Sequence, residues 1–189
     1  MNILLRKVYR LSGLIFPLLY FFWEKRVLLW IVGIILFLLL ALEIFRFKRP
    51  SFNQKLFSYF SLILKNKERR RISGTTLFFI ATFITILIFP KNIAILSLLY
   101  LVVGDALSGV VGASFGKIKI GDKSLEGFLA CFLGCLIVGF LLRIVGVSFS
   151  FPAIFFSSLG VSLIELVSFV DDNLSIPLVG GVILYVFSS

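Results

Sequence analysis

Apolar residues fill this chain in long blocks. Stretches without a charged side chain occupy 11–23, 27–42, 72–90, 92–104, 127–142, 144–164 and 173–189. A helix that crosses a bilayer needs about 20 apolar residues, and several of these runs are shorter. Lys and Arg at their ends can stretch toward the polar boundary and lengthen the effective span. The pattern therefore predicts seven transmembrane helices, over about 8–23, 27–45, 72–89, 93–115, 125–145, 151–169 and 173–189. Segment 51–64 reads differently. Phe52, Leu56, Phe60 and Ile63 recur at helical spacing, with Gln54, Lys55, Ser58 and Ser61 toward other faces, which predicts an amphipathic helix lying in the interface. No internal repeat and no soluble domain is visible. The expected architecture is an all-α, polytopic transmembrane helical bundle forming one domain over 1–189, with 51–71 as its amphipathic and basic cytoplasmic segment.

Composition supports a bilayer as the solvent. Sixty per cent of the residues are hydrophobic and the mean hydropathy is +1.12, where a soluble domain is roughly half apolar. Arg6, Lys7 and Arg10 precede the first apolar run, but no small-residue cleavage site separates it from Glu24-Lys25-Arg26, so retention in the mature protein is expected. The net charge of +10 concentrates at the N-terminus, in 46–71 and in 117–123. With the N-terminus in the cytoplasm and the spans alternating, every strongly basic loop falls on the cytoplasmic side, as the positive-inside rule demands. That rule accounts for the charge, and nucleic acid is not an expected partner. The Lys65–Arg71 run either anchors the chain on acidic headgroups or helps hold a nucleotide. Cys131 and Cys135 lie on consecutive turns of one face, where a bridge would cross-link nothing, and read as small core residues. The absence of histidine removes His-ligated metals and His-based catalysis.

The chemistry gathers in three loops that this topology places together: Gly104-Asp105 through Gly116-Lys117, Lys123-Ser124-Leu125-Glu126-Gly127, and Asp171-Asp172-Asn173. Asp105, Gly109, Gly112 and Gly116 share one helical face. Small residues at that spacing let helices approach closely, but packing has no use for a carboxylate, and an ionisable group at membrane depth is a functional signal. A nucleotide-bound Mg²⁺ typically takes one or two protein carboxylates plus phosphate oxygens. Glycines leave backbone N–H groups accessible to phosphate, although the P-loop pattern is absent. Lys117, Lys119 and Lys123 serve either topology or phosphate neutralisation. Glu126 falls in the first turn of a span, where an anion is tolerated, and Ser124 suits its N-cap. Glu165 lies within span 6, with Asp172 seven residues on. Glu165 is either a carboxylate paired with a basic residue or a working group of the site. Asp171 is expected to be solvated, and Asp172-Asn173 to cap span 7 with Pro177 in its first turn.

These residues resemble the polyprenol kinase family of integral membrane lipid-alcohol kinases, which includes dolichol kinase, phytol kinase and CTP-dependent diacylglycerol kinase. The family's nucleotide signature is roughly Asp-x-x-Ala-x-x-x-Gly, a basic stretch, then Lys-Thr/Ser-x-Glu-Gly. Asp105 and Gly112 match it, as do Lys123, Ser124, Glu126 and Gly127. A C-terminal Glu followed by Asp-Asn-Leu-x-x-Pro appears as Glu165 and Asp172-Asn173-Leu174-Ser175-Ile176-Pro177. Arg6-Lys7 and Gly13 resemble the family's N-terminal block. Ser108 stands where the family usually has Ala, Ala113 where a basic residue is common, and Arg10 where the family has His.

The resemblance implies transfer of the γ-phosphoryl group of CTP to a membrane lipid alcohol at the cytoplasmic face of the cell membrane, with Mg²⁺ as cofactor; spacing alone does not separate CTP from ATP. The resemblance leaves the alcohol open among a dolichol or polyprenol, a phytol-like isoprenoid and diacylglycerol. In this reading Asp105 holds Mg²⁺, and Lys123 and Lys117 neutralise phosphate. Gly104, Ser108, Gly109, Gly112, Gly116, Ser124 and Gly127 form the nucleotide wall, with Glu126 among the catalytic group. Glu165 and Asp172 are candidates for the second metal ligand or the base, and Asn173 orients. A homo-oligomer is compatible with all of this. One alternative is a cytidylyltransferase of the CDP-diacylglycerol synthase kind, whose C-terminal Lys-Asp…Pro-Gly-His-Gly-Gly block a histidine-free chain cannot carry. Another is a small transporter, a class that usually shows internal symmetry.

Overall fold

In the computed structural model, residues 11–59, 66–167 and 171–188 are described. They form eight helices and one small hairpin. The helices are α1 (Ser12–Phe22), α2 (Lys25–Lys48), α3 (Pro50–Tyr59), α4 (Gly74–Ile88), α5 (Lys91–Phe115), α6 (Leu125–Ile144), α7 (Phe151–Val167) and α8 (Asp172–Ser188). A 3-10 turn, Asn66–Arg70, precedes α4, and the hairpin of β1 (Lys119–Ile120) and β2 (Lys123–Ser124) joins α5 to α6.

The all-α expectation holds, but the count of seven spans does not follow from it. Three helices, α2, α5 and α6, are long and apolar enough to cross a membrane. The other four apolar helices are shorter; α4 has 15 residues, α7 and α8 have 17 each. At 1.5 Å per residue those reach about 22–26 Å, short of the roughly 30 Å hydrocarbon layer. For α4, whose ends are both described, the apolar run 72–90 includes the Ser73 cap, the extended Phe89 and Pro90, and the helix proper stops before them.

α5 is the centre of the bundle. In its apolar window 78% of residues are buried, against 17% in α2 and 33% in α6. Around it the chain alternates in direction, so two kinds of end result. At one end, Lys91 at the start of α5 donates to the Phe21 and Trp23 carbonyls that finish α1, and Lys25 at the start of α2 donates to the Leu87 and Phe89 carbonyls that finish α4. A cation at a helix C-terminus satisfies orphan carbonyls and opposes the helix dipole. The other end collects the charged loops.

The middle of α5 departs from α-helical geometry. Tyr100–Gly104 is a π-helical segment, which inserts a residue into the turn and changes which side chains face which neighbour. Tyr100 is fully buried there, its hydroxyl 3.2 Å from Ser157 Oγ and accepting from Ser158 Oγ at 3.3 Å. Glycines set the closest approaches. A Cβ on Gly104 would lie 3.0 Å from the Cys131 sulfur and 3.1 Å from that of Cys135, so both thiols fill the α5–α6 crossing. Gly139 of α6 admits Ile154, whose Cγ2 would be 2.6 Å from an added Cβ.

Of the expected amphipathic segment 51–64, the described part is helical to Tyr59, and Phe52 and Leu56 turn inward as expected. Phe57 is its buried residue, with Phe52, Asn53 and Leu56 half-buried beside it. Phe57 is drawn in because the Arg46 and Arg69 guanidiniums lie over its ring, each 5.6 Å from the centroid. Phe60 and Ile63 lie outside the described residues, as do Arg6, Lys7 and Arg10.

Substituting Gly139→Val should destabilise the bundle by about 1–3 kcal/mol through overpacking. Thermal unfolding in detergent micelles reads this as a lowered midpoint, and an unchanged midpoint would contradict the α6–α7 contact described.

Candidate active site

The site is assembled by short-range rules at four chain segments. Gly121, with φ of +59°, supplies the left-handed backbone at the first central position of the two-residue hairpin loop. β1 and β2 pair antiparallel with Lys119 opposite Ser124 and Ile120 opposite Lys123. This hairpin was not among the expected elements: its strands are two residues each and carry no apolar alternation. Ser124 then caps α6, its Oγ accepting from Gly127 N–H at 3.1 Å. Glu126 accepts from Ile118 N–H at 3.2 Å, and Leu125 N–H donates to the Ile118 carbonyl at 3.0 Å. Together these bonds tie the hairpin to the first turn of α6 and set where Lys123 stands.

Lys123 joins two carboxylates from different helices. Its Nζ donates to Glu165 Oε1 at 2.5 Å and to Asp172 Oδ2 at 2.9 Å. Ser108 Oγ, from α5, donates to the same Glu165 oxygen at 2.5 Å. Glu165 is 1% exposed and Asp105 5%. Ser108 follows Asp105 by three residues, so Asp105 sits about 4.5 Å deeper along the same helix face. Burial pulls the Lys123 ammonium downward, but Asp172 and Glu165 outweigh it and hold its pKa above the ordinary lysine value. One ammonium thus faces two carboxylates, Glu165 and Asp172, at the end of the bundle that also carries the basic loops.

The start of α8 completes the wall. Asp171 is the cap here: its Oδ1 accepts from Asn173 N–H at 3.1 Å and from Asn173 Nδ2 at 2.6 Å. It is exposed, as expected, yet it takes the capping role assigned to Asp172-Asn173, because Asp172 is engaged by Lys123 and Asn173 is already inside the helix. Pro177 lies in the helix interior rather than its first turn. Lacking an N–H, it cannot donate to the Asn173 carbonyl one turn back.

Ser108, Lys123, Glu165 and Asp172 thus meet directly, with Asp105 beneath and Asn173 alongside. The other expected site residues are placed elsewhere. Gly104 faces the α6 thiols. Gly112, Gly116, Ser124 and Gly127 form the close crossing of α5 and α6, where a Cβ on Gly127 would lie 2.9 Å from the Ser108 carbonyl and one on Gly112 would lie 3.0 Å from Ser124 Oγ. Gly109 is half-buried on α5, Lys117 is exposed, and Glu126 serves the hairpin backbone. Sequence reasoning did not single out the buried pair of Glu43 and Arg46, which lies near this end of the bundle. Opposite charges three apart at a span end were the available signal.

Comparison with known proteins adds a relationship. Over 180 residues the chain is 31% identical to an uncharacterized protein of Rickettsia prowazekii, covering 92% of this chain and 88% of that one. The chain belongs to that protein's family. Over 94 residues it is 30% identical to CTP-dependent diacylglycerol kinase 1 of Schizosaccharomyces pombe, a match that takes in 48% of this chain and 43% of the kinase. The chain therefore bears a partial, low-identity likeness to a lipid kinase. No protein-family profile matches the chain, and no solved structure does.

Two outcomes are expected. Ser108→Ala should cost about 1–3 kcal/mol by removing a donor from a buried carboxylate, read as a lower unfolding midpoint. Because the folded Lys123 pKa is raised, its contribution to stability is complete below the unfolded value of 10.5 and is lost as pH climbs through the higher folded value. The midpoint difference between wild type and Lys123→Met should be constant from about pH 6 to 9 and shrink only in stronger alkali.

Proposed function

We propose that the chain is a membrane-embedded lipid kinase that moves the γ-phosphoryl group of CTP to a membrane lipid alcohol, with the charged end of the bundle facing the cytoplasm. The observation that carries this reading is the meeting of Lys123, Glu165 and Asp172, drawn from the hairpin, α7 and α8 at one end of an apolar bundle. The partial likeness to a CTP-dependent diacylglycerol kinase supports the same class of donor and acceptor.

Phosphoryl transfer asks a protein mainly to position and to neutralise charge. Lys123 stands where it can exchange a carboxylate partner for a phosphate oxygen. The acceptor hydroxyl oxygen attacks the γ-phosphorus, the bond from that phosphorus to the β–γ bridging oxygen breaks, and CDP leaves. The hydroxyl proton passes to a carboxylate, for which Glu165 and Asp172 are the candidates. Asn173, held by Asp171, orients groups at the rim. The acceptor's hydrocarbon remains in lipid while its hydroxyl reaches the polar end.

The candidate donors suit Mg²⁺: Asp105, with Asp172 or Glu165 as the second carboxylate, offers oxygen only, and hard oxygen ligands suit that ion. Among the described residues no three acidic, histidine or cysteine side chains converge into a closed metal cage, so Asp105 and Asp172 would hold the ion with phosphate oxygens completing its shell. When bound, Mg²⁺ supplies charge neutralisation for the triphosphate and the leaving CDP.

Purified protein incubated with candidate lipid alcohols and CTP labelled at the α or γ phosphate tests this reading. Label entering lipid from the γ position alone is expected. Entry of α label would assign a cytidylyltransferase instead, and transfer from neither to any alcohol would remove the kinase reading. Asp105→Asn should lower kcat at least about 10²-fold while leaving the protein folded, and full activity would exclude Asp105 from the metal site.

A further inference from the structure

The chemistry above makes no use of the buried Glu43–Arg46 pair. Both side chains sit at the end of α2 nearest the site, 6% and 2% exposed. A buried ion pair costs several kcal/mol per ion unless further hydrogen bonds complete it. Here they are complete. Arg46 Nε donates to Glu43 Oε2 at 2.6 Å. One terminal nitrogen donates to Asn53 Oδ1 at 3.3 Å and to the Glu68 carbonyl at 3.0 Å, and the other to the Arg71 carbonyl at 2.5 Å. Glu43 Oε1 accepts from Ser73 N–H at 2.9 Å and from the Thr76 hydroxyl at 3.0 Å. Asn53 Nδ2 adds a bond to the Arg69 carbonyl at 3.0 Å.

Every bond beyond the pair itself lands on α3, on residues 68–71, or on the N-terminal turn of α4. Three carbonyls within four residues, those of Glu68, Arg69 and Arg71, are thereby fixed. The segment they belong to carries Arg69, Arg70 and Arg71, all exposed, and Arg69 is laid over Phe57. Its other side reaches the site: a Cβ on Gly74 would lie 3.5 Å from Glu68 Oε1 and 3.4 Å from Asn173 Nδ2. Membrane topology needs cations in a loop but not a pinned backbone. Adjacent arginines carried on a pinned backbone do suit phosphate, which guanidiniums bind with paired, charge-assisted hydrogen bonds.

We propose that Arg69–Arg71 is a second phosphate-binding element beside the Lys123 site, with Arg46 as the positioning residue that holds it there. Its ligand is a phosphate group carried by a nucleoside triphosphate or by a phospholipid headgroup. The nucleotide arm rests on the kinase reading; the phosphate-binding element itself does not.

The test uses full-length protein in neutral detergent, with CTP and inorganic tripolyphosphate binding measured by calorimetry and phosphatidylglycerol retention by native mass spectrometry. In Arg69→Gln/Arg70→Gln/Arg71→Gln, affinity for CTP and tripolyphosphate should fall about tenfold or more. A loss confined to phosphatidylglycerol assigns the lipid headgroup as the source; unchanged binding of all three probes overturns the proposal. Arg46→Met should reproduce the loss with the three arginines present, and combining it with the triple substitution should add little, since residues acting as a unit are non-additive. Glu43→Gln/Arg46→Met, which buries no lone charge, serves if Arg46→Met does not fold. A purely structural Arg46 would lower the unfolding midpoint yet leave affinity intact well below it, and that result would overturn its positioning role. If wild type binds tripolyphosphate but not CTP, the kinase reading fails and the phosphate element stands.

Discussion

A charge in an apolar bundle must find its opposite, and at the polar end of this one Lys123 answers two carboxylates at once. Glu165 lies almost wholly buried on α7, and Asp172 opens α8. Without the shared ammonium the two carboxylates would repel each other across the short connection between those helices. Breaking a fully buried pair costs about 3–5 kcal/mol; the Lys123 and Asp172 side chains are 27% and 20% exposed, so screening reduces that figure here. The geometry of the hairpin, the capping of α6 and the seating of α8 on α7 all serve to hold this one contact. In the proposed kinase reading, an ammonium with two partners can release one to a phosphate without being stranded.

The central helix makes the contact possible. α5 is the most enclosed of the three long apolar helices, and its π-helical segment ends at Gly104, immediately before Asp105. The extra residue sets the rotation of everything that follows. Ser108 then faces Glu165, while Gly112 and Gly116 face Ser124 and α6. Ser108 also gives meaning to a departure from the resembling family: where Ala is usual, this chain places a hydroxyl on the key carboxylate. The glycines have a plain packing role, and that role supports the site, since only a close α5–α6 crossing brings the hairpin within reach of α7.

A second buried pair, Glu43 with Arg46, works on the same physical rule with a different result. Lys123 is partly exposed and its partners are few, which suits exchange with a ligand. Arg46 is enclosed and its donors are spread over three neighbouring segments, which suits rigidity. One end of the bundle therefore combines a partly exposed cation with an enclosed one. At the opposite end Lys25 and Lys91 finish helices, and Lys91 also lies over the Tyr20 ring.

By itself the sequence determined the class: apolar blocks of this length can satisfy their backbone in lipid only as helices, and the ordered acidic and basic motifs marked Asp105, Lys123, Glu165 and Asp172 as residues that apolar packing does not explain. Alternation of direction along the chain was enough to put their loops at one end. The tertiary structure decided what each residue touches. The sequence left Glu165 as either a paired carboxylate or a working group, and the pairing with Lys123 depends on a hairpin too short to leave a periodic signal. Asp171 rather than Asp172 became the cap because a distant lysine claimed its neighbour. The π-helical turn in α5, the burial of Phe57 and the reach of Arg46 depend on partners 7–25 residues or more away, and local spacing carries no record of such partners.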